Sequence, residues 1–316
     1  MTKLWAGVDI GGTKVAVALV NEQGEIVVED TIPTEVEKGP DHTVENIVDV
    51  IRKLTKDNDL AIEGIGIGSP GPLNAKEGII LKPSNLRTWR NYPIVDKVRE
   101  RFQIRTVLGN DADIAGLGEY VFSLDGKHEN VAYVTVSTGV GGGIISNGRL
   151  HEGSSSSAAE FGHMIAEKDG PLCGCGRHGC VESFSSGTGI ANRMTERVLE
   201  HPDHPLFELA KSGRLTAKEA FEAYEDGDQL AHEVIEKAED YLAIALANMI
   251  TVLNPSVLIV GGGVAIGQPR YIEAVEKKIT GYAMEENVEA VTIVKASLGA
   301  KAGVIGAAAL AMRDEF

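Results

Sequence analysis

Aromatic residues make up only 5% of the 316 residues, and there are only two tryptophans and three cysteines. So few cysteines exclude a disulfide-built secreted scaffold, and a chain of this length has no need of one, since it buries roughly 75% of its unfolded surface. Positive charge is also scarce, with 30 Lys+Arg against 46 Asp+Glu and a net charge of −16. That balance lacks the basic footprint of a nucleic-acid binder and does not suit an anionic membrane surface. The opening Met1-Thr2-Lys3-Leu4 lacks the charged and apolar regions of a signal peptide. One uncharged run, 241–269, is long enough to span a bilayer, but Asn248, Asn254-Pro255 and Gly261-Gly262-Gly263 interrupt it. It predicts a buried helix, a turn and a buried strand. The expectation is a cytoplasmic protein with neither a nucleic-acid nor a membrane partner.

Hydrophobic residues at 43% and charged residues at 24% are those of an ordinary globular chain. The length suits about two domains of roughly 150 residues. Leu4–Ile10, the alternating run around Val15, Val17 and Leu19, and Glu25–Ile32 read as three strands. A glycine turn at 11–14 and a turn at 21–24 join them. Val44, Ile47, Val48, Ile51 and Leu54 follow helical spacing over 41–55. Strands follow at 62–68 and 104–108, then a helix at 111–122. The plan restarts with a strand at 131–136 and a glycine-rich turn at 137–143. A helix at 229–253, strands at 257–260 and 291–294, and a helix near 302–312 complete it. The pattern predicts two copies of one plan, meeting near 120–130. Residues 154–157 read as a mobile serine loop and 201–215 as a surface connection.

The glycine motifs differ by context. Gly66-Ile67-Gly68-Ser69-Pro70-Gly71 has dinucleotide spacing, but turn residues follow where that fingerprint needs a helix. Asp9-Ile10-Gly11-Gly12-Thr13-Lys14 lacks P-loop spacing and runs into a strand. A hairpin can still cradle phosphate through converging N–H groups, with the Thr13 hydroxyl and Lys14 charge nearby. Asp9 at the strand end suits Mg²⁺ held through water. The plainer alternative is a type I′ hairpin turn with a surface Asp9. Ser137–Gly143, with Thr138 and Gly139, holds the matching place in the second half. Gly262 and Gly263, after a buried strand, suit close approach of a flat ligand or a tight strand exit.

Asn110-Asp111 follows a strand and opens a helix. It reads either as an N-cap or as a general base for phosphoryl transfer to an alcohol. Asp113, two residues on, cannot share its helix face. Glu160-Phe161-Gly162-His163 and Glu182 supply carboxylates and an imidazole of the kind that fix sugar hydroxyls. Cys173, Cys175 and Cys180 give C-x-C-x₄-C, read as three thiolates that need one more ligand for a closed zinc site, or as buried free thiols, or as one disulfide with a leftover thiol. His163 and His178 are the near candidates. His178 sits inside the tight loop, whereas His163 can approach from a separate segment.

Taken together, these residues resemble the ROK family (repressors, open reading frames and kinases) over essentially the whole chain. Gly139-Val140-Gly141, Gly153, Ala159 and Gly162-His163 carry the most specific part of the likeness. Ser69-Pro70-Gly71-Pro72-Leu73 and Ser84-Asn85-Leu86, with Trp89 close by, resemble the glucokinase versions of those loops. The resemblance implies an α/β chain with the two-domain actin-like ATPase and sugar-kinase fold, duplicated ribonuclease-H-like domains and an interdomain cleft. A smaller domain would hold 1–120 and 300–316, and a larger one 121–299. The implied reaction is transfer of the ATP γ-phosphoryl group to the glucose 6-hydroxyl with Mg²⁺, Asp111 acting as base.

By the same resemblance Asn85, Asn110, Asp111, Glu160, His163 and Glu182 bind sugar. Asp9, Gly11, Gly12, Thr13, Lys14, Thr138, Gly139, Gly262 and Gly263 serve the nucleotide. His163, Cys173, Cys175 and Cys180 hold structural Zn²⁺, and the assembly is a homodimer or homotetramer. Asp113, Ser137 and Ala159 depart from the family's usual Asn, Gly and Gly without removing a catalytic group. Alternatives are a kinase for fructose, mannose or an N-acetylhexosamine, use of ADP or polyphosphate as donor, and a non-catalytic sugar-responsive regulator.

Overall fold

The computed structural model describes residues 2–313. In chain order the elements are β1 (Leu4–Ile10), β2 (Lys14–Asn21), β3 (Ile26–Pro33), α1 (Pro40–Asp57), β4 (Gly64–Ser69), β5 (Leu73–Asn74), β6 (Ile79–Ile80), α2 (Ile94–Phe102), β7 (Arg105–Asn110) and α3 (Asp111–Phe122). Next come β8 (Val131–Val136), β9 (Val140–Ser146), β10 (Arg149–Leu150), α4 (Glu182–Ser185), α5 (Gly187–Leu199), α6 (Phe207–Lys211), α7 (Ala217–Glu225) and α8 (Gln229–Leu253). The chain continues through β11 (Val257–Gly261), α9 (Gly263–Gly267), α10 (Pro269–Ile279), α11 (Glu285–Ala290), β12 (Thr292–Lys295) and α12 (Ala302–Met312).

Two five-stranded sheets repeat one order, β3-β2-β1-β4-β7 and β10-β9-β8-β11-β12. In the first, β1 pairs antiparallel with β2 and parallel with β4, and β4 pairs parallel with β7. This register aligns Asp9, Gly68 and Gly109 in one row at the strands' C-terminal ends. The duplicated plan read from the sequence is present. No helix among the described residues is long and apolar enough to cross a membrane.

The described residues divide into two compact units. The first runs to Tyr133 and adds Gly143–Ala159 and the segment from Ala296; the second holds Val134–Gly142 and Glu160–Lys295. The first unit is larger than the expected 1–120 and 300–316 because 121–133 and 143–159 pack within it. Gly116 lies so close to Tyr133 that an added Cβ would sit 2.8 Å from the tyrosine Cβ. Ser156, buried, accepts a hydrogen bond from the Ala75 amide at 3.1 Å, so the serine stretch is anchored rather than loose.

Two local expectations change. Gly141–Gly143 lie inside β9, not in a turn; the turn spans only 137–139. The connection 201–215 contains α6. As expected, no helix follows Gly71: the residues after it form the small β5–β6 hairpin, which excludes the dinucleotide fingerprint.

In the first unit, α1 turns Val44, Ile47, Val48, Ile51 and Leu54 into the core. On other surfaces glycine does the packing. A Cβ on Gly7 or Gly66 would strike the α12 carbonyls of Val304 or Ala307, at 1.9 and 1.7 Å. Gly306 of α12 meets the Ile114 carbonyl of α3 equally closely, at 1.8 Å. Ile114 in turn fills the spaces left by Gly68 and Gly109. Side-chain-free faces thus bring α3 and α12 hard against the sheet and fix the start of α3, where Asp111 sits.

Candidate active site

The sequence-predicted residues fall into two groups, one on each unit. In the first unit, Asn110 ends β7 and caps α3, its Oδ1 accepting from the Ala112 N–H at 2.9 Å and the Asp113 N–H at 3.5 Å. The capping reading is therefore correct, and it leaves the amide nitrogen available; that nitrogen lies beside Gly71. Asp111 accepts the Ala112 N–H through Oδ1 at 2.8 Å. It keeps part of its carboxylate in solvent while Asp113 is buried, as the two-residue spacing requires. Desolvation raises the Asp111 pKa against the backbone hydrogen bonds that lower it.

Asp9 is half-buried at the end of β1, with its carboxylate against Gly303 in the first turn of α12. Burial pushes its pKa up to about 6; the Asp111 charge adds to the rise and Lys14 opposes it. A half-buried carboxylate at the strand end is a suitable ligand for a hard divalent cation.

Beside Asp9 the β1–β2 loop closes with the Gly11 N–H donating to the Lys14 carbonyl at 2.9 Å. Gly11 and Gly12 are not among the positive-φ residues, so the turn is not type I′, which needs positive φ at both central positions. Glycine matters at 12 for closeness: an added Cβ would sit 3.2 Å from the Asn85 carbonyl. Asn85 is itself exposed, on a loop anchored by fully buried Leu86 and Trp89. Trp89 packs edge-on against Tyr92 at 5.3 Å, which fixes that anchor. The first unit thus gathers Asp9, the Gly11–Lys14 loop, Asn85, Asn110 and Asp111.

In the second unit, Thr138 and Gly139 form the β8–β9 turn, with the Ser137 N–H donating to the Gly139 carbonyl at 2.8 Å. The first amides of α5 hold this turn, Gly187 N–H donating to Ser137 O at 2.7 Å and Thr188 N–H to Thr138 O at 3.4 Å. Gly262 has φ +96° and lies against the Val136 carbonyl, where an added Cβ would come to 2.4 Å. Gly263 opens α9 beside the Ser137 hydroxyl. Here the strand exit and the close approach are the same feature.

Glu182, at the start of α4, links this turn to the cysteines. Its Oε2 accepts the Val140 N–H at 3.0 Å, and its Oε1 lies 3.6 Å from Cys173 Sγ. Cys173, Cys175, Cys180 and His163 place one ligand atom each within 4.8 Å of one another. Cys175 and Cys180 sulfurs are 3.7 Å apart, and His163 Nδ1 is 3.6 Å from Cys173 Sγ. A tetrahedral zinc with bonds of about 2.3 Å to sulfur and about 2.0 Å to nitrogen spaces its ligands roughly 3.5–3.8 Å apart. The donor set fits that ion. His178 does not join; its Nδ1 pairs with the Gly170 carbonyl at 2.9 Å. His163 turns its other nitrogen, Nε2, to within 3.9 Å of Glu160. At Cys175 burial is outweighed by hydrogen bonds from Arg177, Cys173 and Cys180, which lower its pKa, whereas burial raises Cys173.

Sequence reasoning missed Gly303 against Asp9, Gly71 beside Asn110, and Thr34, a fully buried residue bonded to the phosphate-loop candidate. None has a local signature, because each partner lies tens to hundreds of residues away.

The ROK family pattern matches residues 5–314. A glucokinase of Halalkalibacterium halodurans is 35% identical over all of this chain and 97% of its own length. An N-acetylmannosamine kinase of Escherichia coli is 32% identical, with 98% of each chain covered. The crystal structure of a ROK family glucokinase from Streptomyces griseus in complex with glucose and AMPPNP superposes with a TM-score of 0.79. That protein is 33% identical, with 98% of this chain and 99% of the other covered. The duplicated sheets are those of the actin-like ATPase fold of ROK sugar kinases, and the chain belongs to the ROK family.

Proposed function

We propose that this chain transfers the γ-phosphoryl group of ATP to the 6-hydroxyl of glucose. The chain is an ATP-dependent sugar kinase; glucose as the preferred sugar is the finer reading. The likeness to glucokinases over the full length supports glucose, and one observation supports phosphoryl transfer: the strand register sets Asp9 in line with Gly109, which precedes Asn110-Asp111, beside a glycine loop touching Asn85. In this reading the base Asp111, the cation ligand Asp9, the phosphate loop and the hydroxyl ligand Asn85 gather near the C-terminal ends of the strands of one sheet.

In this reading Asp111 accepts the hydroxyl proton as the sugar oxygen bonds to the γ-phosphorus and the bond to the β–γ bridging oxygen breaks, releasing ADP. The raised proton affinity of Asp111 suits that task. Asn85, Asn110, Glu160, His163 and Glu182 hold the sugar. Gly11, Gly12, Thr13, Lys14, Thr138 and Gly139 serve the phosphates, with Gly262 and Gly263 on the adenosine side. Mg²⁺, when bound, neutralises phosphate charge, and Asp9 is the residue that would hold it. Cys173, Cys175, Cys180 and His163 hold a structural zinc, which keeps the His163 ring oriented toward the sugar side.

A coupled assay across a hexose panel with ATP and Mg²⁺ tests the sugar. Glucose is expected to lead by tenfold or more in kcat/KM, about 1.4 kcal/mol of discrimination. A lead for N-acetylmannosamine or another hexose would overturn the glucose reading and leave the kinase.

A further inference from the structure

Thr34 lies immediately after β3, fully buried, and no part of the chemistry above uses it. Its hydroxyl donates to the Gly11 carbonyl at 2.7 Å, and its N–H donates to the Thr13 carbonyl at 2.9 Å. Its own carbonyl accepts the hydroxyl of Thr43, on α1 and also fully buried, at 2.9 Å. With the Gly11 N–H on the Lys14 carbonyl, the carbonyls of Gly11, Thr13 and Lys14 are all occupied by protein donors. The N–H groups of Gly12 and Thr13 have no acceptor among the described residues.

A trans peptide is planar, with its C=O and N–H pointing in opposite directions. Fixing the Gly11 carbonyl on Thr34 therefore aims the Gly12 N–H away from Thr34. The second tie, at the Thr13 carbonyl, fixes the far end of the same loop. An anion cradle needs its donors turned to one side before the anion arrives, since otherwise binding must order them.

We propose that Thr34 is the positioning residue of this loop, holding its carbonyls behind so that its N–H groups are preset for the nucleotide phosphates. The proposal rests on the reading of Gly11–Lys14 as a phosphate loop. Thr34→Val keeps the shape and removes the donor, leaving the Gly11 carbonyl without its partner. Steady-state kinetics should show KM for ATP raised about tenfold, as small misplacements of a positioned group do. KM for glucose should stay within about twofold, and Thr34→Ser should restore the ATP value, since the hydroxyl alone carries the effect.

A merely structural role would instead lower the thermal midpoint and move both KM values together, without rescue by serine. That result, or an unchanged KM for ATP in a folded Thr34→Val, overturns the proposal. If Thr34→Val does not fold, Thr34→Ala is read the same way. Amide hydrogen exchange with and without AMPPNP and Mg²⁺ separates the two layers. Unprotected Gly12 and Thr13 amides in the wild type would sink the phosphate-loop reading, and Thr34's role with it. Protected amides with an unchanged KM in Thr34→Val would sink only the role of Thr34.

Discussion

The two sheets share a strand order yet secure their glycine turns by different means. In the first unit a buried side chain, Thr34, ties the β1–β2 turn, and glycine faces press α3 and α12 onto the sheet. In the second, the N-terminal amides of α5 tie the β8–β9 turn, and Glu182 connects the adjoining Val140 amide to a cysteine cluster. One plan thus tolerates two kinds of support. The first unit relies on close packing, in which glycine faces bring α3 and α12 against the sheet. The second relies on a small loop-rich segment, in which Cys173, Cys175, Cys180 and His163 draw four potential metal-ligand atoms together.

The largest separation of the two should come from Asp111→Asn. Removing the base should cut kcat by about 10²–10⁴, the usual contribution of a positioned general base, with sugar binding by calorimetry little changed. Near-normal turnover would remove the chemistry from the first unit. Next, Cys175→Ser should lose zinc and destabilise the second unit by roughly 3 kcal/mol or more. Hydrogen exchange should show that loss in 160–181, while β1, β4 and β7 stay protected. Full metal content in the purified variant would refute the knot.

The smallest effect is electrostatic. The Asp9 pKa rises on folding from its ordinary 3.8 to about 6. Between those values the folded state binds more protons than the unfolded one. Asp9 therefore subtracts stability progressively as pH rises from about 4 to about 6, and by a constant amount above that. In Mg²⁺-free buffer, Asp9→Asn should be more stable than wild type at pH 8, by a margin that shrinks toward pH 4. A margin independent of pH would contradict that assignment.

How much was legible in the sequence follows the range of the interactions. The helices at 111–122, 229–253 and 302–312 are read with their observed bounds, because capping and periodicity are local. Asp228 caps α8 by accepting the Ala231 N–H, and Asn254 ends it at φ 43° before Pro255. Cys173, Cys175 and Cys180 were legible for the same reason. The strand identity of Gly141–Gly143 was not, since glycine has low intrinsic strand preference and only neighbouring strands assign it. Nor was Thr34, one threonine among many, whose bond to Gly11 spans 23 residues. His163 over His178 was also legible, since His178 lies inside the tight loop; the fold agrees, turning His163 to the sulfurs and His178 to the Gly170 carbonyl.

The contact of α12 with β1, β4 and α3 also sets an order in time. Translation runs from the N-terminus, and the second unit's main segment, 160–295, emerges before α12. The inserted unit therefore has its whole chain available first. The sheet that carries Asp9 must wait, with its glycine faces at Gly7 and Gly66 uncovered, for α12. In synthesis, then, the sheet of the first unit can be closed only after the second unit's main segment has been made.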